Sequence, residues 1–256
     1  VTLTAAVVCP HPPLLVPELA AGEAVAVRRP AIQAVRRLVA GGPDVVVVVG
    51  DAPRTRPYAA GESGSLAGYG VPLSVALGSA TPGAAPTLPL SLTVGAWLLG
   101  QVPWEGAVTG LGVSATTSAA DAARLGAELA GSARRVALLV MGDGSARRTV
   151  GAPGGFDSRA DGHDAAVAEA LATGDAAALL SLDPVLSREL MAAGRASWQV
   201  LAGARLADAT LAATAHDPDI TMSDTRTWSW MSRAEYVAAP YGVGYVVAVW
   251  EQGSPW

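Results

Sequence analysis

Short apolar, β-branched runs recur along the chain, and each stops at a residue that a hydrogen-bonded ladder tolerates poorly. Leu3 to Val8 ends at Pro10-His11-Pro12-Pro13, Val45 to Val49 runs into Gly50-Asp51, and Val136 to Met141 runs into Gly142-Asp143. Prolines lack the N–H that a ladder needs, and an unbroken valine run suits a strand covered on both faces. The pattern predicts buried strands there, with further strands at Val71 to Leu77, near Val108 to Val113 and from Val243 to Trp250. Between them the period changes to helical. Val25, Ile32, Val35 and Leu38 alternate with Arg28, Arg29, Arg36 and Arg37 over Glu23 to Ala40, ahead of Gly41-Gly42.

Local end signals place the other helices. One covers about Leu90 to Gly100, and Ser118 with Asp121 caps another that runs to about Ala130. The pattern is helical again from Asp161. Asp183-Pro184 opens a helix that Gly194 closes, and Ser197 to Ala213 forms the next. Ala52 to Gly70 is rich in Gly, Pro, Arg and Ser and reads as a long loop of the kind that closes over a site. A Trp-rich segment, Thr221 to Met231, precedes the last strand.

Strands alternating with helices predict an α/β fold, a three-layer α/β/α sandwich around a central mixed, largely parallel sheet. The length of 256 residues, without a dividing linker or internal repeat, fits one domain over 1–256. In such sheets ligands gather outside the carboxyl ends of the strands. His11, Asp51 and Asp143 each stand just past a predicted strand end, which makes them neighbours in one crevice.

Composition narrows the partners. A net charge of -5 gives no footprint for nucleic acid, which is gripped by clustered cations. The 17 basic residues are all arginine, so neither a Schiff-base lysine nor a P-loop lysine exists. Cys9 is the single cysteine and excludes an intramolecular disulfide, the start of the chain does not read as a secretory leader, and no apolar run approaches the ~20 residues of a membrane span. The expected setting is cytoplasmic, without membrane.

Several residue groups carry possible chemistry, each beside a plainer structural role. His11 is either a ligand-site imidazole or a strand-end ring bonded to backbone, and Asp51 and Asp143 are either reactive carboxylates or loop caps. Together the three would offer oxygen-rich ligation suited to magnesium or manganese. The turn Gly142-Asp143-Gly144-Ser145, with Arg147 and Arg148, offers amides and guanidinium groups to an anion, and Arg54 on the long loop adds another cation. Otherwise these arginines form a solvated face. Cys9 and His11 share one side of an extended chain, either as a thiolate pair or with Cys9 simply buried. Gly110-Leu-Gly112 has part of a dinucleotide-loop pattern without its third glycine. Trp198, Trp228, Trp230 and Tyr241 are candidates for an aromatic pocket or for packing.

The segments CPHPPLLVPEL, VVVVVGDAP, LLVMGDGSARR, GAPGGFDSRADGHDAAV and AAPYGVGYVVAVW resemble, in order and spacing, the class III extradiol ring-cleavage dioxygenases of the protocatechuate 4,5-dioxygenase catalytic (beta) subunit type. The resemblance spans nearly the whole chain. It implies Fe(II) held by two histidines and a glutamate, a further catalytic histidine, and homo-oligomers. His11 matches the first iron ligand. Asp51 stands nearest the second histidine, Ala146 stands at the catalytic histidine and Ala238 at the glutamate. With three of four positions changed, most of the side chains that would grip iron are gone. The expectation is therefore a family relative with a degenerate iron site, no cofactor, and no ring cleavage. Such a protein would bind a small anionic or aromatic molecule through His11, Asp51 and Asp143, with Ser145, Arg54 and Arg147 as ligand contacts. The alternatives are a metal-dependent enzyme built on a remodelled His11/Asp51/Asp143 site and an oligomeric scaffold.

Overall fold

The computed structural model describes residues 2–20, 25–214 and 230–253. His216, Trp228 and most of the Trp-rich segment lie outside the described residues. The first half runs β1 (Thr2–Cys9), α1 (Arg28–Ala40), β2 (Val45–Asp51), β3 (Arg56–Tyr58), β4 (Ser63–Ser65), β5 (Ser74–Ala76), α2 (Leu90–Leu99) and β6 (Ala107–Val113). The second runs α3 (Ala119–Ala130), β7 (Arg135–Met141), α4 (Ala160–Thr173), α5 (Ala176–Leu180), α6 (Pro184–Glu189), α7 (Arg195–Thr214), β8 (Trp230–Ala238) and β9 (Tyr245–Gln252). Short 3-10 turns occupy Pro13–Leu15 and Ala67–Tyr69.

Seven strands form one mixed sheet in the order β3-β6-β2-β7-β1-β9-β8. The central four are parallel, and β3, β9 and β8 join antiparallel at the two sides. Alternation along the valine strand divides the core: Val46 and Val48 face the layer of α1 and α2, and Val47 and Val49 face that of α3, α4, α5 and α7. In β1 the register slips by one residue between Leu3 and Ala5, so Leu3 shares a face with Ala6 and Val8 instead of opposing them. The fold is thus α/β, with a large mixed sheet between helical layers. Among the described residues no helix is long and apolar enough to cross a membrane.

Glycines set the closest approaches. A Cβ on Gly95 of α2 would come 2.5 Å from Val48 Cγ1, so this helix, buried along nearly its whole length, lies directly on β2. Gly126 of α3 and Gly203 of α7 likewise bring two backbones together.

Several sequence expectations need correction. The helix predicted from Glu23 starts at Arg28, where Pro30 falls in the first turn and its missing N–H leaves no bond unmade. The predicted loop Ala52 to Gly70 contains β3, which pairs with β6, and β4, which pairs with β5. Thr55 Oγ1 accepts from Ser114 N–H, and Glu62 accepts from Arg56, Thr87 and Ala59 N–H, so the segment is fastened down rather than hung as a lid. The helix from Pro184 ends before Leu190, and Met191 at φ 55°, not Gly194, takes the left-handed position after it. Gly110 and Gly112 lie inside β6 and form no nucleotide loop. The strand β8 was not expected at all.

The connections open a crevice. β7 fills the slot between β1 and β2; the chain leaving β1 and β2 goes to α1 and α2 on one face, whereas the chain leaving β7 goes to α4 on the other. Loops diverging to opposite faces beside β7 leave the gap where α/β proteins place ligands.

Candidate functional site

His11, Asp143 and Asp51 stand in that gap in the order of their strands. The prolines on either side of His11 fix its backbone, and its N–H donates to Asp143 Oδ1 at 2.8 Å. The imidazole is buried, with Nδ1 3.7 Å from the same oxygen and without a hydrogen-bond partner. Burial pushes the Asp143 carboxyl above its ordinary range, opposed by His11. Asp51 closes β2, where its backbone carbonyl accepts from Ser91 Oγ at 2.6 Å. Burial raises its carboxyl too; His11 pulls it down and Asp143 pushes it up. The phenol of Tyr245, at the start of β9, is held high by burial and by Asp143. Sequence reasoning missed Tyr245, although it lies in the closing motif.

Of the three strand-end residues, Asp51 lines a cleft of about 300 Å³. The remaining walls are Ala115, Pro184, Ser187 and Arg188 of α6, Met191 to Ala193, and Arg195 and Ala196 at the start of α7. Arg195 is only 3% exposed. Its guanidinium donates to Gln199 Oε1 and to the Ala115 and Thr117 carbonyls, all neutral acceptors. Burial without a paired carboxylate lowers its proton affinity. The cleft therefore combines an apolar wall, two arginines and one carboxyl. The spacing Pro184, Ser187, Arg188 is one helical face and was the available sequence signal; the burial of Arg195 had none.

The predicted anion cradle is not available. Ser145 is fully buried: its hydroxyl donates to Leu190 O and its N–H to Asp164 Oδ1. The N–H groups of Gly144, Ala146, Arg147 and Arg148 donate to Gly244 O, Leu190 O, Ser145 Oγ and Gly242 O. Arg147 reaches Asp157 at 3.7 Å and Glu189 O, and Arg148 pairs with Asp161 and Asp164. This loop is spent on holding itself. Arg54 is exposed outside the cleft.

Cys9 is buried against α1, and burial drives its thiol far up, so it forms no thiolate pair with His11. Trp198 packs in the core against Gly142 and Gly194, Trp230 donates to Asp208, and Tyr241 is exposed. They make no common aromatic pocket.

No protein-family model and no curated protein matches the chain. A solved structure of an uncharacterized protein from Escherichia coli is similar, with a TM-score of 0.50 at 12% identity, over 97% of this chain and 99% of its own. The likeness is one of fold.

The donor set does not fit iron. Ala146 and Ala238 carry no donor atom, and Asp143 Oδ1 is already engaged by the His11 N–H. Among the described residues no three His, Cys, Asp or Glu side chains converge to hold a metal. The same geometry fails to supply the magnesium or manganese site expected of a remodelled His11/Asp51/Asp143 cluster.

Proposed function

We propose that the chain is an extradiol dioxygenase-like protein that does not cleave aromatic rings through iron and that binds a small aromatic anion at the strand-end cleft. One observation carries this reading: a buried arginine, Arg195, bonded to neutral acceptors, lies in an apolar-walled cleft beside Asp51. A guanidinium held away from water without a counter-ion favours a carboxylate ligand, and the alanine and methionine wall favours a flat apolar body. The volume of about 300 Å³ suits a ligand of single-ring size. The resemblance of the five segments supports an aromatic ligand class, and Ala146 and Ala238 at the resembled histidine and glutamate positions support the loss of ring cleavage. A dedicated scaffold would pack this space with side chains.

The test is to purify the protein from iron-supplemented cells, measure its metal content, assay catechol cleavage, and titrate it calorimetrically with benzoate. The expected result is less than stoichiometric iron, no ring opening, and saturable benzoate binding that Arg195→Gln weakens roughly 10-fold or more, the value of a lost charged hydrogen bond. Stoichiometric iron with ring-opening activity refutes the proposal.

A further inference from the structure

One wall of the cleft holds a second set of groups that ligand binding does not use. His163 on α4 has Nδ1 3.1 Å from Asp164 Oδ1 and Nε2 3.3 Å from Ser187 Oγ on α6. His163, Asp164 and Ser187 are 8%, 6% and 2% exposed. Asp164 is held from two further directions: the Ser145 N–H donates to Oδ1 at 2.8 Å, and Arg148 donates to Oδ2 at 3.1 Å. The chain makes room for this carboxylate, because a Cβ on Gly144 would lie 2.7 Å from Oδ1 and one on Gly244 2.1 Å from Oδ2.

The chemistry follows from donor and acceptor roles. An ionised carboxylate only accepts, so the ring hydrogen sits on Nδ1 and the Nε2 lone pair faces the Ser187 hydroxyl. This is the order of a nucleophile, a base and a group that orients the base. Ser187 shares its helical face with Pro184 and Arg188, which line the cleft, and Met191 just beyond the helix lines it too. The same cleft is lined by the first turn of α7, whose leading N–H groups have no intrahelical acceptor, together with Arg195.

We infer that Ser187 is the nucleophile of an esterase site, with His163 as its base and Asp164 as a positioning residue, and that the substrate is a small carboxylic ester bearing an anionic group. This rests on the cleft being the ligand site proposed above. The Ser187 oxygen bonds to the ester carbonyl carbon while its proton passes to His163 Nε2. The carbon–alkoxide bond breaks, and the alkoxide leaves as alcohol with that proton. Water, deprotonated by His163, then attacks the acyl-serine, the acid is released, and Ser187 regains its proton. The sum is ester plus water giving acid plus alcohol. The first-turn N–H groups of α7 receive the developing oxyanion, and Arg188 and Arg195 hold the anionic end.

The full chain is treated with diisopropyl fluorophosphate and the adduct mapped by mass spectrometry, with p-nitrophenyl acetate hydrolysis and benzoate titration in parallel. The expected result is a single residue carrying a diisopropylphosphoryl group, Ser187, and hydrolysis that falls roughly 1000-fold or more in Ser187→Ala and His163→Gln. Adduct mapping on the unaltered chain stands whether or not these variants fold. An adduct on another serine, or none, with benzoate still bound overturns the esterase and leaves the binding reading intact. Loss of both overturns the two together.

Discussion

Replacing Gly126 by alanine sets two opposing effects against each other within one helix. Alanine favours helix over glycine by about 1 kcal/mol. Gly126 faces α7, however, and a Cβ there would lie 2.0 Å from the Val200 carbonyl oxygen and 2.5 Å from the Ala204 nitrogen. Unstrained contact needs roughly 3.5 Å, so α3 and α7 must part by more than an ångström. Both clashing atoms are backbone, and no rotamer change relieves them. Overpacking of this kind costs about 1–3 kcal/mol, with an unyielding neighbour at the upper end, which leaves a net loss of about 2 kcal/mol. At this chain length that lowers Tm by about 4–8 °C in a thermal melt followed by circular dichroism. Gly162→Ala on the exposed face of α4 is the control: nothing lies within 4 Å of its Cβ, so it raises Tm by up to about 4 °C. Gly203→Ala, whose Cβ would lie 2.2 Å from the Ala123 carbonyl oxygen, destabilises as Gly126→Ala does. The double variant loses less than the sum, because the helices have already separated. If Gly126→Ala melts as high as Gly162→Ala, the close helix contact is refuted.

Asp143 is a buried carboxyl raised above its ordinary value of 3.8, so the folded chain holds its proton to higher pH than the unfolded chain and stability falls as pH rises through that interval. Asp143→Asn, which keeps an oxygen for the His11 N–H, is therefore more stable than the parent at pH 7 and loses that advantage near pH 3 in urea titrations; an equal difference at both values defeats the assignment. Cys9 is buried with its thiol pushed far up, so a thiol-specific chromophore finds no reactive group in the folded protein and one per chain after denaturation, whereas fast native labelling contradicts the packing. Asp51 shares the cleft with the proposed anion and is already raised by burial, so an incoming anion raises it further and binding takes up a proton. Benzenesulfonate, which stays ionised throughout, accordingly binds more tightly as pH falls from 7.5 toward 4.5, and calorimetry showing neither proton uptake nor a change in affinity contradicts that coupling.

The carboxyl end of the sheet was legible in the sequence because the physics there is local. Apolar runs covered on both faces and stopped by Pro or Gly-Asp fix β1, β2 and β7, and the sheet then forces His11, Asp51 and Asp143 to one side. What was not legible depends on tertiary packing. β8 pairs with β9 and carries Arg233 and Glu235 among its residues, so no apolar run marks it. The amides of residues 144–148 look available in sequence, and their acceptors lie on distant segments such as Gly242, Gly244 and Leu190. His163 and Ser187 come from different helices, and neither matches a position that the family resemblance marks. Arg195 reads as an ordinary polar residue ahead of a helix until α7 is laid against the loop that carries Ala115 and Thr117.

The charges at this end of the sheet are arranged against stability. Burying a carboxyl or a guanidinium without an ionic partner is unfavourable, and hydrogen bonds to neutral groups recover only part of the loss. Asp143 recovers some through the His11 N–H, and Arg195 through two carbonyls and Gln199, yet both carboxyls remain raised and the arginine remains lowered. Direct pairing of Asp51 with Arg195 would have relieved two of these groups at once, and the geometry keeps them as separate walls of one cleft. A ligand carrying a negative group and an apolar body supplies the missing counter-charge to Arg195 and covers the alanine wall, while Asp51 takes up a proton. Such a ligand would stabilise the fold, which is the physical basis for proposing binding at this cleft rather than at the amides and guanidinium groups of residues 144–148, where Arg147 and Arg148 already face carboxylates.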